Sequence, residues 1–158
     1  MVDNPETNAL KEEARKLLEM HHFNILTEPL PQFQASPVDE KDLFNWQAAI
    51  MGPEESPYFG GVFLLTMKFP NDFPFSPPSV KFTTKIYHPN ILVSGTIDMP
   101  TLKEHWDPEL TPSALLTQIW SLLSDPNPDY TPPSINKIGE EFKHDKAQYY
   151  ATAQQWTA

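Results

Sequence analysis

The chain of 158 residues contains no cysteine. That absence removes disulfides, thiolate metal sites and every mechanism with a cysteine nucleophile. It says nothing about the redox state of the surroundings. No apolar run approaches the roughly 20 residues of a membrane span. The opening stretch MVDNPETNALKEE is acidic and has no apolar centre, so a secretory signal is not expected. A soluble cytoplasmic or nuclear protein without a membrane partner is the resulting expectation. Basic residues are scarce, 11 Lys and Arg against 21 Asp and Glu, for a formal charge of −10. Such a surface repels a phosphate backbone, and no basic run is visible to offset it, so nucleic acid is not an expected partner. Glycine is scarce too, 5 residues against 18 prolines, which predicts rigid and extended connections.

What remains is globular in character, with 39% hydrophobic and 12% aromatic residues. The length predicts a single domain over residues 1–158. A domain of about 150 residues buries roughly 68–70% of its unfolded surface, so no metal or disulfide staple is required. No cofactor is implied.

Periodicity places the elements. Asn4 to Met20 reads as a helix, with Asn4 as cap, Pro5 in the first turn, and Leu10, Ala14, Leu17 and Leu18 on one face. Lys11, Glu12, Arg15 and Glu19 occupy the other. Residues 21–40 read as loop, with a short edge strand near Phe33–Ser36. Leu43–Met51 alternates, setting Phe44, Trp46, Ala48 and Ile50 on one side. Val62–Phe69 alternates again, and Val80–Thr83 follows a proline cluster. Short connections favour an antiparallel meander. After Trp106 the period becomes helical: Thr111 and Pro112 start a helix ending near Ser124, and further helices are expected over Ile135–Phe142 and Asp145–Trp156. The order of helix, strands and helices predicts an α+β fold.

Several phrases occur in a fixed order: FNWQAAIMGPEESPYFGGVFLLTMKFP (44–70), DFPFSPPSVKFTTKIYHPNI (72–91), GTI (95–97), W-x-P-x-LTP (106–112), SLLSDPNPDY (121–130) and HDKAQYYATAQQWT (144–157). Together they resemble the ubiquitin-conjugating enzyme family from about residue 9 to the end. The resemblance implies the UBC fold: an N-terminal helix, a four-stranded antiparallel meander and three further helices. It also implies a histidine–proline–asparagine motif, here His88-Pro89-Asn90, followed by a glycine, an isoleucine and the cysteine that accepts ubiquitin. Gly95 and Ile97 fit this pattern, but the next residue is Asp98.

Transthiolation needs a thiol of pKa about 8.5 or lower that attacks and leaves as thiolate. A carboxylate of pKa about 3.9 is a weak nucleophile toward a thioester, and the product is an easily hydrolysed mixed anhydride. No stable ubiquitin adduct is expected. The family's leucine and aspartate after the cysteine are Met99 and Pro100 here, and a frequent acidic residue after Asp129 is Tyr130. Asn90, by resemblance an oxyanion donor, is read instead as a loop hydrogen-bonder, and His88 as structural. A general acid–base pair of Asp98 with Asp107, Glu109 or Asp129 has no evident substrate pocket. His21, His22, His105 and His144 lack metal-ligand spacing.

The resemblance further implies a ligase-binding surface built from the first helix and two loops, one matching Pro74-Phe75-Ser76 and the other Trp106-Asp107-Pro108-Glu109-Leu110. Phe75 is either an exposed anchor or packed into its turn. Lys11 and Arg15 map to the helix that meets the activating enzyme, but Glu12 and Glu13 stand beside them and oppose an acidic groove. The outer sheet face, with Asn45, Gln47, Leu64, Thr66 and Lys68, corresponds to a non-covalent ubiquitin site. The leading expectation is an inactive homologue, a pseudoenzyme that binds ubiquitin or a ubiquitin-like protein, a ligase or an active conjugating enzyme. The alternative is an ordinary conjugating enzyme, a thioester acyl carrier, whose cysteine was deliberately exchanged for Asp98. A scaffold role through a long 21–32 loop is a third reading.

Overall fold

Alternation in the middle of the chain becomes a sheet in strand order, β1 (Phe33–Asp39), β2 (Asp42–Met51), β3 (Val62–Lys68) and β4 (Ser79–Phe82), all antiparallel. The structure, a computed structural model, describes residues 5–157 apart from the side chain of Tyr130. The expected Asn4 cap and any role of the Tyr130 side chain lie outside the described residues.

Register follows the pattern of side chains. Trp46, Ala48 and Ile50 of β2 face inward opposite Met67, Leu65 and Phe63 of β3, and all six are buried. Each large apolar side chain so buried contributes about 1.5–3 kcal/mol. Helices cover this inner face, leaving the other open. α1 (Pro5–Thr27) lays Ala14, Leu18 and His21 on it. α2 (Pro112–Ser124) adds Leu115, Leu116, Ile119 and Leu123. Its start is as expected: Thr111 Oγ1 accepts the Ala114 amide at 3.0 Å, and Pro112 occupies a first-turn position where no N–H is needed. α3 (Asn136–His144) and α4 (Lys146–Thr157) close the chain, with Tyr149 and Ala153 of α4 buried.

Three expectations need correction. The first helix does not end at Met20 but runs to Thr27, so most of the expected 21–32 loop is helical. Residues 21–27 contain neither proline nor glycine, His21 and Ile25 continue the inward stripe, and Pro29 is the first breaker. Leu10, expected inward, is 41% exposed. β1 extends to Asp39 rather than Ser36, its ladder with β2 shifting register after Pro37. The prolines also start three short 3-10 turns that periodicity does not reveal, Pro100–Leu102, Pro128–Tyr130 and Pro133–Ile135.

Candidate functional site

Between β4 and Asp98 the chain folds back on itself through isolated bridges, Lys81 to Thr96 and Ile91 to both His88 and Ile97. Gly95 makes the reversal. Its φ is +93°, and a Cβ there would stand 2.0 Å from the Phe82 carbonyl oxygen. Only glycine meets both conditions.

His88 and Asn90 are fully buried beneath this loop. The Asn90 amide N–H donates to His88 Nδ1 at 2.9 Å, so that nitrogen carries a lone pair. The proton therefore sits on Nε2, which donates to the Leu122 carbonyl of α2 at 2.8 Å. Burial drives the His88 pKa down to about 4, and the ring is neutral at pH 7. The Asn90 side chain is also engaged at both ends: Nδ2 donates to the Asn127 carbonyl, and Oδ1 accepts the Asn127 amide, each at 2.8 Å. These bonds fasten the HPN loop to the segment after α2.

Asp98 follows from the same scaffold. Its amide donates to the Asn90 carbonyl at 2.7 Å, which fixes its backbone against the HPN loop. Met99 is buried, and Pro100 opens a tight turn in which the Lys103 and His105 amides both bond to the Pro100 carbonyl. The turn brings Lys103 back, and its Nζ lies 2.6 Å from Asp98 Oδ1. The Asp98 side chain is only 13% exposed, so an ammonium from its own chain caps the carboxylate. Lys103 and Asn127 were not among the expected site residues. A lysine shortly after a proline was the available signal for the first; the second had none.

Two of the three carboxylates weighed as partners for Asp98 have other partners. Asp129 pairs with Lys143 of α3 at 3.1 Å, and Asp107 accepts the Glu109 amide at 2.9 Å. Among the described residues no three His, Cys, Asp or Glu side chains are placed to hold a metal ion, and no helix is long and apolar enough to cross a membrane.

Two of the mapped surface loops come together. The Trp106 indole N–H donates to the Pro74 carbonyl at 2.7 Å, and the Trp106 ring stands 6.2 Å from that of Phe73. The Phe73–Pro74 peptide is cis. Phe75 is 64% exposed, so it projects to solvent instead of packing into its turn. Pro108 and Glu109 are exposed on the second loop. Lys11 and Arg15 lie on α1. Lys11 Nζ sits 5.8 Å above the Phe44 ring. Arg15 is held by Glu12 at 2.7 Å and Glu19 at 3.3 Å. Those bonds lower the Glu12 pKa and raise that of Arg15.

The arrangement is that of an acyl-carrier site without its acyl-accepting atom. The loop, the buried imidazole and the asparagine are present, but the reacting position is a capped carboxylate. A sequence model of the family described as ubiquitin-conjugating enzyme matches residues 11–157, nearly the whole chain. With its meander, covering helices and HPN loop, the chain belongs to the ubiquitin-conjugating enzyme family as a catalytically inactive member without the cysteine.

Proposed function

We propose that this chain is a non-catalytic binding module of the ubiquitin-transfer machinery, and that the clamped loops bearing Phe75 and Pro108 contact a ubiquitin ligase. One observation carries the reading: the reacting position is filled by the Asp98–Lys103 ion pair, while Phe75 stands exposed on a loop held by Trp106. An exposed aromatic on a rigid support is the kind of anchor that dominates protein interfaces. Glu109 on the neighbouring loop must be desolvated on contact, so the fitting ligase surface offers it a lysine or arginine. Handoff from the activating enzyme is disfavoured, because Arg15 is occupied by carboxylates of its own helix and Glu13 stands nearby. Non-covalent contact with ubiquitin through the outer sheet face, or with an active conjugating enzyme, is the secondary expectation.

Titration of the folded protein against ligase domains, ubiquitin and an active conjugating enzyme tests this. Phe75→Ala is expected to weaken ligase binding by about 2 kcal/mol without changing stability. Failure of all three protein classes to bind at millimolar concentration would overturn the proposal. Charging of an Asp98→Cys variant with activating enzyme, ATP and ubiquitin supplies the second arm. Poor charging is expected. A reductant-sensitive adduct formed as fast as on an active family member would favour an ordinary enzyme with one exchanged residue.

A further inference from the structure

The β3–β4 side of the sheet has a charge pattern opposite to that of the whole chain. Carboxylates outnumber basic residues 21 to 11 in the sequence. Yet along the β2–β3 and β3–β4 registered pairs the only charged side chains on the outward positions are Lys68 and Lys81, while Asp39 and Asp42 pair at the β1–β2 turn. Lys68 pairs with Ser79 and Lys81 with Thr66, which makes the two lysines diagonal cross-strand neighbours. Such neighbours are roughly 7–8 Å apart. Lys85 follows just beyond β4 and is also exposed. Among the described residues, none of the three lysines has a carboxylate within ion-pair distance. Like charges so placed repel one another, and among the described residues no carboxylate pairs with them. These lysines are scattered in sequence, which is why no basic run announces them.

Lys81 and Lys85 border a groove of about 440 Å³ between β4, the 92–95 loop and the end of α4. Its lining includes exposed apolar side chains, Val93 at 86% and Trp156 at 48%. It also includes donors. Thr84 Oγ1 accepts the Leu64 amide at 2.9 Å, which leaves its own proton free, and it lines the groove with the two lysines. A groove lined by both donors and exposed apolar side chains matches a ligand that carries acceptor-only groups beside a hydrophobic side chain.

We propose that this groove docks an acidic, extended segment of a protein partner, its carboxylates on Lys81 and Lys85 and a neighbouring apolar side chain against Val93 and Trp156. Charge complementarity selects this occupant. A second copy of the chain brings a net charge of −10 to a −10 surface. A nucleic acid meets the same overall repulsion with only three lysines to offset it. The site is separate from the Phe75 loops and stands or falls independently of ligase binding.

The test is fluorescence anisotropy of the full chain with a labelled peptide that alternates glutamate with leucine and phenylalanine. Measurable binding is expected. It should weaken at least about tenfold in a Lys81→Glu/Lys85→Glu variant and also weaken with rising salt. The same peptide with glutamine for glutamate should bind no better than the double variant does. Val93→Ser should cost several-fold while leaving the salt dependence unchanged. Both lysines are exposed, so the variants should unfold as the parent does. Equal affinity for the glutamine peptide, an unaffected double variant, or no binding at millimolar peptide would each overturn the proposal. Tighter binding of a single-stranded oligonucleotide than of the acidic peptide would overturn the choice of occupant.

Discussion

Asn90→Ala separates a structural asparagine from a catalytic one. In a chain that forms no thioester the residue has no intermediate to stabilise, so its effect must appear in stability. Its side chain makes two hydrogen bonds to the backbone of Asn127, both partly buried, while Asn90 itself is fully buried. Removing it leaves an N–H and a carbonyl with incomplete solvation. At the low end for partly buried groups each costs about 1 kcal/mol, or about 2 kcal/mol together. For a protein of this size that lowers Tm by about 4–8 °C. Asn90→Asp sharpens the test. The carboxylate still accepts the Asn127 amide, but its second oxygen then faces the Asn127 carbonyl and repels it unless protonated. Protonation restores a donor, so the folded-state pKa of the introduced acid is raised. A raised carboxyl pKa disfavours the folded state above the unfolded value and ceases to do so as pH falls below it. The penalty of Asn90→Asp relative to the parent should therefore shrink between pH 7 and pH 4. Urea unfolding at both pH values measures it. An Asn90→Ala variant within about 0.5 kcal/mol of the parent would refute the reasoning, since that is the range of an ordinary surface change.

His88 adds a pH dependence of its own. Its folded pKa is lowered to about 4 while the unfolded value is near 6.5, so the unfolded chain binds the extra proton. Stability should be fully present above about pH 6.5 and fall by a few kcal/mol as pH drops toward 4. His21, lowered by burial, acts in the same direction. A His88→Gln variant should be less stable at pH 7 but show a flatter profile in urea titrations; a parallel profile would contradict this. Gly95→Ala should destabilise by more than about 3 kcal/mol, because strained φ and the clash with the Phe82 carbonyl combine, and thermal melting will show it. Lys103→Met should cost no more than about 1 kcal/mol at pH 7, since Lys103 is half exposed; a larger loss in urea unfolding would mean a drier pair than the exposure implies.

Much of the fold is legible in the sequence because burial has a period. β2 and β3 alternate, and Thr111 with Pro112 marks the start of α2. The extension of α1 is not legible. Met20, Phe23 and Leu26 are apolar yet 49%, 64% and 63% exposed, so they blur the helical stripe, and nearby prolines suggest a loop. The backbone needs no apolar pattern to continue when no breaker intervenes, and Thr27 Oγ1 returns to the Phe23 and Asn24 carbonyls at the last turn. At the site, Asp98, His88 and Asn90 are identifiable from the sequence through the resemblance of their motif to the family's. Their partners are not. Asn127 lies 37 positions beyond Asn90, and Lys103 reaches Asp98 only because the turn at Pro100 reverses the chain. Neither relation has a period to read.

The persistence of the HPN motif in a chain without its nucleophile follows from this wiring. His88 joins the loop to α2, Asn90 joins it to the segment after α2, and the Asn90 carbonyl holds the Asp98 amide. Each link uses backbone groups that would otherwise be poorly solvated, so losing either side chain carries a folding cost whether or not acyl transfer occurs. The cysteine has no such second duty: at its position only the amide is used by the scaffold, and any residue but proline supplies one. A side chain at that point is therefore free to change once transfer is no longer required, provided a new charge there finds a partner. Met99, buried, and Pro100, which opens the turn, bring Lys103 to Asp98 as that partner. The lost chemistry and the retained loop are thus two consequences of one distinction, between a residue that only reacts and residues that also fasten.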